Sequence, residues 1–163
     1  MGFDNQLSSM VNKLQALPKK LQHQILTRLI GSRVRLIRTA GTEFCELTPH
    51  RVHVRLKNRA KVQNHIGSIH AAGIALLAET ASGFVVGMNV PSGSVPVIKS
   101  MKVDYQKRAV GDMEAVATLS EEHIQTIRST PKGEVLVPVV VTDAEKKQPV
   151  QCEMLWAWIP KRR

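Results

Sequence analysis

Between residues 62 and 98 the chain carries one formally charged side chain, Glu79. It stands between Ala78 and Thr80 in GSIHAAGIALLAETASG (67–83), which is bounded by Gly67 and Gly83 and apolar or small on nearly every side. The segment is too long for a typical strand, and its composition predicts a buried helix with Ser68 as a candidate N-cap. An ionised carboxylate in such a helix is costly unless it is paired or hydrogen-bonded, and nothing in its own segment can pair with it. Two readings follow. In one, Glu79 is kept for general-base or nucleophilic work, its pKa raised by desolvation. In the other, its face of the helix meets solvent, or an Arg from a strand reaches it.

Upstream, QNHIGSIH gathers Asn64, His65 and His70 just before and within the first helical turn. A helix start exposes unsatisfied N–H groups and a positive dipole end, which suits a developing oxyanion. Asn64 is of the type that orients a water or a carbonyl. His70 either polarises a substrate or simply caps the loop. His65 and His70 lack the spacing of a zinc helix and no third ligand accompanies them, so no metal is expected. Cys45 and Cys152 are too few for a disulfide framework and read as reduced thiols.

The elements that must hold these groups follow from periodicity. The chain has 163 residues, enough for one compact domain. Residues 5–30 place Leu7, Met10, Val11, Leu14 and Leu17, then Leu21, Ile25, Leu26 and Leu29, at three-and-four spacing. Pro18 divides this run and Gly31 follows it, which predicts two short helices. Val34 and Leu36 then alternate with Arg33 and Arg35, as Val52, Val54 and Leu56 do with Arg51, His53 and Arg55. Both read as half-buried strands joined by a turn at Thr48-Pro49-His50. After the helix, FVVGMNV, VPVIKSMKVDYQK, GDMEAVATLS, GEVLVPVVVTD and VQCEMLWAWIP are each strand-like, with 121–128 a helical turn or a further strand. Pro138 marks an edge or a bulge. The simplest architecture is α+β: an antiparallel sheet wrapped around one central helix, with N-terminal helices over 1–32 and the main domain over 33–163.

At this point the residues resemble a family. Asn64, Gly67, His70, Ala71-Ala72 and Glu79 are similar to the N-x-x-G-x-x-H-G-G … Asp/Glu signature of hot-dog fold acyl-CoA thioesterases of the phenylacetate-pathway type. The Asn lies six residues before His70 and the acid nine after it. Val103–Asp112 also resembles a stretch that follows the helix in that family. The resemblance implies that Glu79 is the catalytic acid, that Asn64 orients water or the thioester carbonyl, and that the Ala71 N–H is the oxyanion donor. It implies a site between two subunits. Two departures stand out. His70-Ala71-Ala72 keeps the N–H but adds methyls where His-Gly-Gly has none, and Ser100 is only a nearby candidate for the strand hydroxyl.

The net charge is +10, and residues 1–61 hold 12 Lys or Arg against 3 Asp or Glu. A one-sided positive field attracts polyanions. The resemblance gives it a use, since coenzyme A carries several phosphate charges that Arg51, Arg55, Lys57, Arg59, Lys107 or Arg108 would hold. Tyr105, Trp156 and Trp158 read as packing residues. Substrate contacts are expected from Gly67, Ala72, Ser100, Lys107 and Arg108. Coenzyme A enters as part of the substrate and no separate cofactor is implied. One alternative is a non-catalytic hot-dog module binding acyl-CoA or acyl chains. Another, a nucleic-acid binder, lacks stacking aromatics, with one Tyr and three Phe in the chain. A homodimer or dimer of dimers is expected, because 62–98 is too apolar to face water. The N-terminal helices are expected on the outer face of the sheet or at the oligomer edge, outside the site. No run of about 18 apolar residues predicts a membrane span, and the opening residues do not read as an export signal, so a cytoplasmic location is expected.

Overall fold

The computed structural model describes residues 5–161; Arg162 and Arg163 of the basic C-terminal tail lie outside the described residues. Six strands form one antiparallel sheet: β1 (Thr42–Leu47), β2 (Arg51–Leu56), β3 (Ser94–Tyr105), β4 (Met113–Thr118), β5 (Gly133–Thr142) and β6 (Val150–Pro160). Their order is β1-β2-β4-β5-β6-β3. The helix α4 (Ala71–Gly87) lies against the inner face. Three helices precede the sheet, α1 (Gln6–Leu14), α2 (Lys19–Arg33) and α3 (Arg35–Ala40), and α5 (Glu121–Ser129) follows β4.

Alternation along each strand builds the core. Val52, Val54 and Leu56 of β2 and Met113, Ala115 and Ala117 of β4 are fully buried, and they pair across the ladder. They meet Leu77, Ala78, Ala81, Val85 and Val86 of α4, also fully buried. The helix is apolar all round because sheet covers one side and the N-terminal helices part of the other. Hydrogen bonds fix α1 to the far end of α4. Asn5 caps α1 through its Oδ1, which accepts from the Ser8 N–H at 2.8 Å. Its Nδ2 donates to the carbonyls of Gly87 and Val90, and Ser8 Oγ donates to that of Met88.

Several expectations are corrected. Residues 33–36 are not a strand: Arg35 opens α3, and β2 pairs instead with β1, whose TEFCEL sequence hides its alternation behind a bulge between Phe44 and Glu46. The central helix starts at Ala71 with His70 as its cap, so Ser68 caps nothing. It continues through Phe84-Val85-Val86-Gly87, which the β-branched residues made strand-like. Burial on α4 overrides that propensity. Four strands follow the helix, and residues 121–129 are helical, capped by Ser120 with Glu121 and Glu122 in the first turn. Pro138 sits on an interior strand, but the β4–β5 ladder ends at Val139, so its missing N–H falls where β5 lacks that neighbour.

Candidate active site

Glu79 lies halfway along α4, on the face turned from the sheet core towards the N-terminal helices. It lines a cavity of about 350 Å³ whose walls come from five parts of the chain. Leu7 of α1, Val34 and Ile37 at α3, Phe84 of α4, Pro96 of β3 and Trp156 of β6 surround the carboxylate. No side chain among the described residues pairs with it, and burial alone raises its pKa above the ordinary carboxylate value. The reading in which a strand Arg neutralises Glu79 is therefore not what the structure contains. Next to it Thr80 is 1% exposed, and its Oγ1 has no hydrogen-bond partner. Trp156, read from sequence as packing, forms the opposite wall and donates its Nε1–H to Ser82 Oγ at 2.9 Å.

The second group of residues stands at the N-terminus of the same helix. His70 Nδ1 accepts from the Ala72 N–H at 3.0 Å, which places the ring proton on Nε2 when the imidazole is neutral. The N–H groups of Gly73 and Ile74 go to the His70 carbonyl. Ala71 is left as the first-turn residue whose N–H has no acceptor among the described residues. That is the donor an oxyanion would need.

Asn64 organises the loop leading into this turn. Its Oδ1 accepts from the N–H groups of Ile66 and Ser68, both at 3.1 Å, and its backbone N–H donates to the Ser68 carbonyl. With the oxygen committed to the loop, Nδ2 is the side-chain atom left to bind a ligand. Gly67 takes φ +75° in this loop, a conformation that disfavours any side chain. Arg108 is a structural clasp: it donates to Ser68 Oγ at 3.3 Å and to the Ile66 carbonyl at 3.0 Å. Ala72 is exposed beside His70, and Lys107 is exposed on the β3–β4 connection.

One chain does not bring these two groups together. Ala71 and Glu79 are eight residues apart on one helix, roughly 12 Å along its axis, and Asn64, His70 and Ala71 do not line the Glu79 cavity. Ser100 is further removed. A bulge between Ile98 and Ser100 puts Ser100 opposite Leu155, whose neighbours Met154 and Trp156 are buried. Ser100 therefore points to the outer face, and Met101, Val103 and Tyr105 take the inner one. The expectation that the N-terminal helices stay outside the site is likewise corrected, since Leu7, Val34 and Ile37 help to wall it.

The cations sort into two sets. Arg51 pairs with Glu46, Arg55 with Asp112 and Lys57 with Glu43, which leaves them little charge to offer. Arg59 instead donates to the Gly41 carbonyl and shares a groove with Arg28 and Arg38.

An antiparallel sheet wrapped on one long helix is the hot-dog fold. Residues 22–159 match the family described as "Domain of unknown function (DUF4442)", and the chain belongs to it. Among solved structures it is similar to a Pseudomonas aeruginosa protein of unknown function described as a "Probable Thioesterase". The two share 24% identity and a TM-score of 0.75, over 89% of this chain and 97% of the other. A Haemophilus influenzae thioesterase is 14% identical with a TM-score of 0.67, over 83% and 88% of the two chains. A Staphylococcus aureus thioesterase, solved as a mutant, is 16% identical with a TM-score of 0.65, over 77% and 99%. The comparison with curated proteins found no match. Among the described residues no helix is long and apolar enough to cross a membrane.

Proposed function

We propose that the protein is a thioesterase that hydrolyses an acyl-CoA thioester, with Glu79 as general base or nucleophile. The observation that carries this is an unpaired carboxylate in an apolar cavity wall, its pKa raised by burial, on the same helix as an unengaged N–H at Ala71. The structures described as thioesterases share the fold. A carboxylate desolvated in this way is a stronger base than one in water.

In the general-base form, Glu79 takes a proton from water as the water oxygen attacks the thioester carbon. The carbonyl electrons move to the oxygen, which the Ala71 N–H stabilises. When the tetrahedral species collapses, the C–S bond breaks and the sulfur takes the proton back from Glu79, releasing a carboxylic acid and a thiol. In the nucleophilic form, Glu79 attacks the carbon directly, the thiolate leaves, and water hydrolyses the mixed anhydride.

Because Ala71 and Glu79 of one chain are too far apart for one carbonyl, the reading takes the Ala71 N–H from a second copy. The edge strand β3 is suited to the contact. It is 12 residues long, and Val95, Val97, Met101 and Tyr105 are exposed along it. The Arg28, Arg38 and Arg59 groove is the candidate for coenzyme A phosphates, with Lys107 a further one. A panel of acyl-CoA substrates tests the proposal. Thiol release that disappears in Glu79→Gln supports it, and tight acyl-CoA binding with no turnover replaces it with a non-catalytic binding module.

A further inference from the structure

We infer that the N-terminal helical layer forms the wall of an acyl-chain pocket and so sets which acyl groups the site accepts; the inference rests on the thioesterase reading for its reaction, not for its pocket. The cavity at Glu79 has one polar end and an apolar remainder. Glu79 marks the polar end, with Thr80 beside it. A threonine in a helix ordinarily satisfies its hydroxyl on the carbonyl a turn earlier. Thr80 Oγ1 does not, and it has almost no accessible surface, so Glu79 alone supplies the polar end.

From that end the space runs towards the N-terminal layer, not into the sheet. A second cavity of about 610 Å³ shares Leu7, Val34 and Phe84 with the first and continues between α1 and α2 past Met10, Leu29 and Ile30. The shared residues are apolar. Gln6, Ser32 and Arg33 also line the second cavity, whereas Arg28, Arg38 and Arg59 line a separate groove. A path that starts at a carboxylate and continues along leucine, valine, methionine and phenylalanine fits a thioester carbonyl followed by an apolar acyl chain.

The layer is also held in place for this work. Asn5 and Ser8 bind α1 to the carbonyls at the end of α4, which fixes Leu7 against Gly87, 3.6 Å from where a Cβ would stand. Val34 is the hinge between α2 and α3 and is 40% exposed, so a larger side chain there is accommodated without disturbing the core.

The test is a chain-length series of straight-chain acyl-CoA substrates from acetyl to palmitoyl, assayed with wild type, Val34→Trp and Leu7→Trp. Each methylene buried in an apolar pocket is worth about fourfold in affinity, so wild-type kcat/KM should climb with chain length. Either tryptophan should flatten the climb, lowering the ratio of kcat/KM for the longer substrates to that for acetyl-CoA at least about tenfold. A profile unchanged in both folded variants overturns the inference and leaves the thioesterase reading intact. If wild type hydrolyses nothing, that reading fails, and calorimetry with decanoyl-CoA decides the pocket alone. Binding lost in Val34→Trp supports it, and binding unchanged or absent from the outset overturns it. Should Leu7→Trp fail to fold, Val34→Trp with Leu7→Ala carries the same measurement.

Discussion

The hydroxyl of Tyr105, on the edge strand, donates to the carbonyl of Ala71, the first residue of α4, at 2.7 Å. The contact ties β3 to the end of the helix that carries the free N–H. It exists only because the bulge after Ile98 turns Tyr105 to the inner face. Tyr105→Phe should cost about 1 kcal/mol at most, the net worth of one hydrogen bond at a half-open position, and thermal melting reads it. If the tie also positions the Ala71 N–H, kcat should fall several-fold with KM unchanged.

Glu79→Gln separates chemistry from architecture. With no cation beside the carboxylate, the amide removes a desolvated charge and breaks no pair. The variant should melt at or above the wild-type temperature while turnover drops at least about a hundredfold and acyl-CoA affinity barely moves. A stable variant with wild-type turnover contradicts the mechanism outright.

The same burial gives a pH signature. Folding raises the pKa of Glu79 above its ordinary value of 4.5, so as pH rises past 4.5 the unfolded chain gives up this proton first. The folded state then holds more protons, and stability falls with rising pH until the folded pKa is passed. The stability gained by Glu79→Gln should therefore be present at neutral pH and vanish below the ordinary carboxylate value. Urea melts of both proteins across this range check it, and a gap that widens on acidification is the contrary result. The acid limb of kcat/KM should likewise lie above 4.5, since the ionised form is the reactive one.

Much of this was legible in residue types. Glu79 stood out because an acid in an otherwise uncharged stretch must be explained, and the alternation in β2 and β4 reads directly as one buried face. What escaped was set by long-range contacts. Phe84-Val85-Val86 looks like a strand until the neighbours of α4 are known, and Arg33 to Leu36 alternates by coincidence at a helix junction. The outward face of Ser100 could not be read locally, because one bulged residue, Lys99, inverts the parity of everything after it. The role of Leu7 had no local signal at all, as its position depends on Asn5 and Ser8 reaching carbonyls about 80 residues away.

Thr80→Val tests the orphan hydroxyl. A buried group without a partner costs about 1–3 kcal/mol, and valine has nearly the same shape. The free protein should therefore gain stability in calorimetry. Because the hydroxyl has almost no surface open to a substrate, kcat/KM should be unchanged. A destabilised variant would mean that the hydroxyl is already satisfied.

Gly83 and Gly87 give opposite predictions for the same substitution. On helix propensity alone, alanine in place of glycine inside a helix is worth about 1 kcal/mol of stability. At Gly83, however, a Cβ would stand 2.6 Å from Trp156 Cη2 and 2.7 Å from its Cζ2. The ring has little room to yield, because it is 5% exposed and held through Nε1 by Ser82 Oγ. Overpacking of this kind costs about 1–3 kcal/mol, which outweighs the propensity gain. It also pushes the indole towards the Glu79 cavity that it walls. Gly83→Ala should thus be destabilised and show a higher KM for long acyl substrates. At Gly87 the nearest atom, Leu7 Cδ2, is at 3.6 Å, an ordinary contact, so Gly87→Ala should be neutral or slightly stabilised. Denaturant midpoints of the two variants, measured side by side, decide the point. Equal gains at both positions would show that Trp156 does not pack tightly against α4.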